Sequence, residues 1–190
     1  MSREGARIWQ IPADVAVEGE VRSNRRKQGG LVKRHAELRS FPPNHHQGLV
    51  NARRLKRAAA GEETELADTA RDFLEFWRED TVLHFRKEEE VLLPVLARHG
   101  GDLDQPSVVE MLAQHARIRG LVMELGDELG RQEVRGEALR KLGEQLEAHI
   151  RLEERRVFPF IEETLTVQAL KEVTSRLLTS EPGPGSVADR

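Results

Sequence analysis

Apolar residues recur at helical spacing through most of the middle of the chain. Positions 66, 70, 73, 77, 81, 84, 88, 91 and 95 carry Leu, Ala, Phe, Trp, Thr, His, Glu, Val and Val. Steps of three and four place them on one face of a long amphipathic helix. A second stripe, Val108, Met111, His115, Ile118, Val122, Leu125 and Leu129, follows Pro106-Ser107, and Ser107 with Glu110 reads as a capping box at its start. A third, after Gly136, runs Leu139, Leu142, Leu146, His149, Glu153, Val157 and Phe160. Ahead of them all, the weaker stripe Leu49, Ala52, Leu55 and Ala59 begins behind Ser40-Phe41-Pro42-Pro43 and stops near Ala60. Proline suits an opening helical turn.

Gly61, Gly100-Gly101 and the Gly126 to Gly136 stretch separate these four helices by short connections. The pattern predicts an all-α, up-down-up-down four-helix bundle. Thr166 to Leu178 predicts a short fifth helix. Residues 1–36 mix Gly, Arg and short apolar pieces without a sustained period, and are expected to form a partly disordered arm. Ser180-Glu181-Pro182-Gly183-Pro184-Gly185-Ser186 is too rich in Pro and Gly for a helix and predicts a frayed tail. The expected division is an arm over 1–36, a bundle over 37–165, and a short helix with tail over 166–190.

Composition limits what the polar interruptions of these stripes can do. The 190 residues hold 30 basic and 33 acidic side chains, no Cys and no Tyr. Such a balance gives no reason to expect nucleic acid or an anionic membrane as partner. Without cysteine there is no disulfide, thiolate nucleophile or cysteine-held cluster, so a metal must rest on His, Asp or Glu. No secretory apolar stretch opens the chain and no 18 uncharged apolar residues run together, so a cytoplasmic, non-membrane protein is expected. No Gly-rich phosphate loop or Ser-His-Asp order stands out.

The interruptions form an internal repeat. His84-Phe85-Arg86-Lys87-Glu88-Glu89 and His149-Ile150-Arg151-Leu152-Glu153-Glu154 share His, Arg at +2 and Glu at +4 and +5, and each has Pro at +10, Pro94 and Pro159. The agreement predicts two helix pairs related by a pseudo-twofold, each supplying one lone His and one His-x-x-x-Glu. A His and a Glu four apart share a helix face about 6 Å apart in height. His115 and His149 each lie roughly 22 Å from the connection between their helices, so they share a level. His45 and His84 differ by roughly one turn. On the first helix His45 falls near the centre of the apolar face and His46 points off it, which favours His45 as the donor.

The candidate metal ligands are therefore His45, with His46 as its alternative, His84, Glu88, His115, His149 and Glu153. His35 and His99 read as surface residues. An unpartnered carboxylate among apolar side chains costs several kcal/mol, and metal cations supply the compensating charge. Four imidazoles and two carboxylates exceed the four donors of a structural zinc, and their mixture suits iron or manganese. Two ions fit better than one. If both carboxylates bridge, each ion receives two His nitrogens and two oxygens, with room for an exogenous ligand such as dioxygen, peroxide or nitric oxide. His45, near its helix N-terminus, is biased toward the neutral imidazole that binds metal.

Taken in order, Asn44-His45-His46-Gln47-Gly48-Leu49, His84-x-x-x-Glu88 with Val91-Leu92-Leu93-Pro94, Gln114-His115-Ala116-Arg117-Ile118-Arg119 and His149-x-x-x-Glu153 with Val157-Phe158-Pro159 resemble the hemerythrin-like HHE cation-binding domain family over roughly residues 38–165. The resemblance implies a hemerythrin-like four-helix bundle around two Fe ions with an oxo or hydroxo bridge, with Mn or Zn as alternatives. Two positions differ from the oxygen-carrying hemerythrins. Arg119 stands where their third helix has a second His, and the fourth-helix acid is Glu153, four after its His, where theirs is an Asp five after it. The four-His, two-Glu set is similar to that of bacterial iron-centre repair proteins.

The function expected is a di-iron protein that binds or reacts with dioxygen, peroxide or nitric oxide, in sensing, detoxification or iron handling. The alternative is a metal-stabilised bundle that presents its Arg-rich first helix or N-terminal arm to a protein partner without catalysis. A metal-free scaffold with core histidines is the third reading.

Overall fold

In the computed structural model, residues 43–180 are described, and every regular element among them is a helix. The expected arm over 1–36, His35 and the tail after residue 180 lie outside the described residues. Helix α1 spans Pro43–Ala58. A longer rod follows: α2 (Glu63–Phe76), a π-helical turn over Trp77–Thr81, α3 (Val82–Lys87), a second π turn over Glu88–Leu92 and α4 (Leu93–Arg98). Helix α5 spans Pro106–Gly130. The next rod joins α6 (Gly136–Leu152), a π turn over Glu153–Val157 and α7 (Phe158–Thr164), and α8 (Val167–Ser180) closes the described part. Among the described residues no helix is long and apolar enough to cross a membrane.

The predicted stripes face inward. On the α2–α4 rod, Ala70, Phe73, Trp77, Thr81, His84, Glu88, Val91 and Val95 are all buried, with Leu66 partly so. The start of α5 differs from expectation. Gln105 is its N-cap and its Oε1 accepts from the Ser107 backbone N–H at 3.3 Å, so no capping box forms at Ser107–Glu110. Pro106, with φ fixed at a helical value, starts the helix one residue before Ser107. Ser107 is thus buried inside the first turn, and Glu110 is taken up by Gln114 at 3.0 Å and Arg117 at 2.9 Å.

Two apolar clusters make the core. One gathers Val91, Leu96, Val108, Met111, Val157, Phe158 and Ile161 with Ala169, Leu170, Val173 and Leu177 of α8. The other gathers Ala52 and Leu55 of α1, Phe73, Trp77 and Phe85, Ile118, Val122 and Leu125, and Leu139, Leu142 and Leu146. Between Phe85 and Val91, between Met111 and Ile118, and between Ile150 and Val157 each rod passes from one cluster to the other. Glu88, His115 and Glu153 lie at those passages, and His84 and His149 stand one residue ahead of the first and third. A layer of His and Glu therefore divides the hydrophobic core.

Helix α1 is held close to α6. A Cβ on the buried Gly143 would stand 2.7 Å from the carbonyl oxygen of Ala52, nearer than atoms pack, so the approach depends on glycine. Lys56 pairs with Glu147 of α6, and Arg54 with Asp72 of α2 at 2.8 Å. Such exposed or half-exposed pairs add up to about 1 kcal/mol each. Fixing α1 matters because it brings one imidazole to the polar layer.

Candidate metal centre

Both His-x-x-x-Glu pairs sit where the helix widens. The N–H of Leu93 donates to the Glu88 carbonyl and that of Phe158 to the Glu153 carbonyl, five residues back in each case. Pro94 and Pro159 come next and lack the N–H that would continue an α-turn, while their rings crowd the preceding carbonyls. A wider turn before each proline relieves that crowding. Such π turns within α-helices concentrate at functional sites, and here each one begins at the carboxylate residue itself.

Six of the seven expected side chains meet. His45, His84, Glu88, His115, His149 and Glu153 are buried, the two glutamates completely. His46 does not join them. It is exposed, because the next residue on a helix turns about 100° away from its neighbour's direction. His99 is also exposed and pairs with Glu172 of α8 at 2.9 Å.

Each carboxylate turns its two oxygens toward different imidazoles. Glu153 Oε2 lies 2.9 Å from His45 Nε2 and 3.9 Å from His84 Nε2, while its Oε1 lies 2.9 Å from His149 Nε2 and 4.0 Å from His115 Nε2. Glu88 Oε1 lies 3.4 Å from His84 Nε2 and its Oε2 3.3 Å from His115 Nε2. The donors form two groups with mutual separations within 4.8 Å, one of Glu88, His115, His149 and Glu153, the other of His45, His84 and Glu153. Glu153 belongs to both.

These approaches are close, yet they are poorly directed as hydrogen bonds. Both oxygens of Glu88, both of Glu153, Nε2 of His115 and both nitrogens of His149 have no hydrogen-bond partner. Buried polar atoms are nearly always satisfied, and leaving one unpaired costs about 1–3 kcal/mol. Short separations without aligned hydrogen bonds are what donors show when they point at common third bodies. The chemistry of the set agrees, since neutral imidazoles and ionised carboxylates are metal ligands. The cluster fits a metal site.

Its electrostatics point the same way. Burial lowers the pKa of His84, but attraction to Glu88 and then Glu153 outweighs it and raises the value to about 9. Burial likewise lowers His115, and Glu153, Glu88 and Glu89 raise it to about 9. Glu153 would be pushed up by burial, yet the imidazoles of His149, His115 and His45 hold it well below the usual carboxylate range. The acids thus draw positive charge into the layer, as protons or as metal ions.

A surrounding set of contacts was not expected from the sequence. Glu89 lies 2.6 Å from His115 Nδ1 and is held by both Nη atoms of Arg119 at 2.8 and 2.9 Å. Glu154 lies 3.5 Å from His45 Nδ1. The ring of Phe85 stacks on His115 with centroids 3.8 Å apart. The shared Glu at +5 in the internal repeat is the signal that marks Glu89 and Glu154 in advance. Arg119 carries no such mark apart from its place one turn after His115.

Comparison with curated proteins gives no match, and comparison with solved structures gives none either. The family profile described as Hemerythrin HHE cation binding domain matches residues 43–177, a span that contains all six converging side chains and α8 through Leu177. With most of the chain covered by that match and a buried His/Glu cluster at its centre, the protein belongs to the hemerythrin HHE cation-binding family.

Proposed function

We propose that the cluster holds two iron ions and that the centre binds or reacts with a small oxidant or diatomic molecule, dioxygen, peroxide or nitric oxide. The observation that carries this reading is the division of the carboxylate oxygens between two imidazole pairs. Glu153 Oε2 and Glu88 Oε1 face His45 and His84; Glu153 Oε1 and Glu88 Oε2 face His149 and His115. Each pair would then offer two nitrogens and two oxygens to one ion. Bound iron would supply Lewis-acid and redox chemistry at positions the protein leaves open.

The chain's own part is to hold the donors and keep them dry. His84 and His149 are set one turn from their glutamates on the same rods, and His45 and His115 come from α1 and α5. Phe85 and Phe158 flank the imidazoles of His115 and His45, with centroids 3.8 and 5.8 Å apart. In this reading the bundle runs up-down-up-down. Helices α1 and α5 lead toward the cluster around Leu55 and Leu125, and the rods α2–α4 and α6–α7 lead back toward the cluster around Leu96 and Ile161.

Elemental analysis and a visible spectrum of protein from iron-replete cells test the proposal. About two irons per chain and an absorption band that shifts with azide or peroxide are expected. A folded preparation free of metal from such cells would overturn it.

A further inference from the structure

Helix α5 is free of charge on two opposite faces. Its inner face, with Val108, Met111, Ile118, Val122 and Leu125, is buried in the bundle. On the far side, positions 109, 112, 113, 116, 120 and 123 carry Val, Leu, Gln, Ala, Gly and Met, and residues three, four and seven apart share a helix face. None of these is charged, in a chain of which 33% of the residues are. Val109 is 50% exposed, Leu112 39% and Met123 72%. The solvent side of a bundle helix ordinarily carries its charges. A mostly apolar strip about four turns long marks an interaction surface instead.

The charges along one edge of this strip say what covers it. Glu110, Arg117, Glu124 and the C-cap residue Arg131 follow one another at seven-residue steps with alternating sign. Seven residues make nearly two whole turns, so the four side chains stay in one line. When two copies of such a helix pack antiparallel about a two-fold axis, the same edge of each meets the other. With the axis level with Gly120 and Leu121, Glu110 faces Arg131 of the second copy and Arg117 faces its Glu124, and each pair occurs twice. The edge is complementary to itself. On the other edge, Arg119 is already held by Glu89. Within one chain, Arg117 lies 2.9 Å from Glu110 and Arg131 3.6 Å from Glu133, all with exposed side chains. Exposed pairs of this kind are worth little and exchange readily. An open groove of about 340 Å³ between α5 and α6, whose walls include Arg117, Glu124, Lys141 and Glu144, leaves room there for the side chains of the second copy.

We propose that two copies of this chain associate through the outer face of α5 with the helices antiparallel. Val109, Leu112, Ala116 and Met123 form the apolar seam, and Glu110, Arg117, Glu124 and Arg131 form the pairing edge. The pairing stands whether or not the buried His/Glu layer holds iron, because every residue it uses lies on the solvent side of α5.

Sedimentation equilibrium on the full chain, with circular dichroism to check that each variant stays helical, tests the proposal. Wild type is expected at twice 21.6 kDa, and Met123→Asp, which sets a charge in the seam, should sediment as the monomer. Arg117→Glu places like charges opposite each other at both symmetry-related contacts and should raise the dissociation constant about tenfold, as should Glu124→Arg. The two exchanges combined restore opposite signs across the axis, so the double variant should dimerise like wild type. A monomeric wild type would overturn the proposal and leave the face to another occupant. So would a dimer indifferent to Met123→Asp, which would place the interface elsewhere. A double variant no better than the single ones would also overturn it, since the charge register is what selects a second copy.

Discussion

Glu89 backs His115: its carboxylate lies 2.6 Å from Nδ1, on the side of the ring away from the Nε2 that faces Glu88. A carboxylate at Nδ1 keeps the proton there and leaves the Nε2 lone pair free, the usual outer support of a metal-binding histidine. Arg119 holds Glu89 in turn, and with His115 it keeps the Glu89 carboxyl below its ordinary range against the opposing effect of burial. Glu154 occupies the related place behind His45 at the longer distance of 3.5 Å. Glu89 thus supports the lone histidine of a neighbouring helix through a hydrogen bond, whereas Glu154 only stands near Nδ1 of His45, which has no hydrogen-bond partner.

Glu89→Ala should therefore lower metal affinity by about 10- to 100-fold without removing a ligand. Glu154→Ala should have the smaller effect, because its contact is longer and more exposed. Competition against a chelator of known affinity measures both. Equal losses in the two variants would contradict the distance ranking.

The two adjacent histidines of α1 should separate cleanly. His45 is buried among the donors and His46 is exposed. Metal counting on His46→Ala should match wild type, whereas His45→Ala should lose about one ion per chain, as expected when one of two sites loses a ligand. Retention in His45→Ala with loss in His46→Ala would mean that α1 is rotated relative to the rest of the cluster.

What the sequence makes legible follows from periodicity. A 3.6-residue period marks which His and Glu interrupt an apolar stripe, so His84, Glu88, His115, His149 and Glu153 stand out, and the same phase separates His45 from His46. Periodicity is silent on features that break it. The π turns at Trp77, Glu88 and Glu153 shift the phase locally, so periodicity alone does not place Asp80 or Glu89 within Arg78-Glu79-Asp80 and Glu88-Glu89-Glu90. The N-cap of α5 is another such case, since Pro106 fixes the helix start and Gln105 supplies the oxygen. Pairings across helices, such as Glu89 with Arg119, need the packing itself.

Protons and metal should compete for the layer with opposite pH trends. His84 and His115 have values raised from 6.5 to about 9, so in metal-free protein their stabilisation is complete below 6.5 and is lost as the pH rises through about 9. Glu153 is depressed from 4.5, so its contribution is present above 4.5 and is lost as the pH falls below that value. Metal-free protein should be most stable between pH 4.5 and 6.5. Metal binding displaces the imidazole protons, so metal affinity should rise over the interval in which metal-free stability falls. Thermal melting with and without chelator, from pH 4 to 10 (a range of about six units that brackets these values), checks both trends. A metal-free melting temperature that climbs between pH 6.5 and 9 would refute the linkage.

The close contact of α1 with α6 gives a structural prediction with its own control. Alanine at Gly143 would put its Cβ 2.7 Å from the Ala52 carbonyl oxygen and 2.8 Å from Cγ of Lys56. The lysine can swing aside, but the carbonyl belongs to the backbone of α1, so the helix must back away. Overpacking of this kind costs about 1–3 kcal/mol. His45 reaches the layer from α1, and the same displacement draws its Nε2 from Glu153. Gly143→Ala should therefore melt lower and lose metal first from the His45–His84 pair. At Gly120 on α5 an added Cβ meets no atom within 4 Å, so Gly120→Ala should instead gain about 0.5–1 kcal/mol from helix propensity alone. Melting curves and iron content for the two variants decide the matter, and similar behaviour of both would show that α1 can move relative to α6 without disturbing the site.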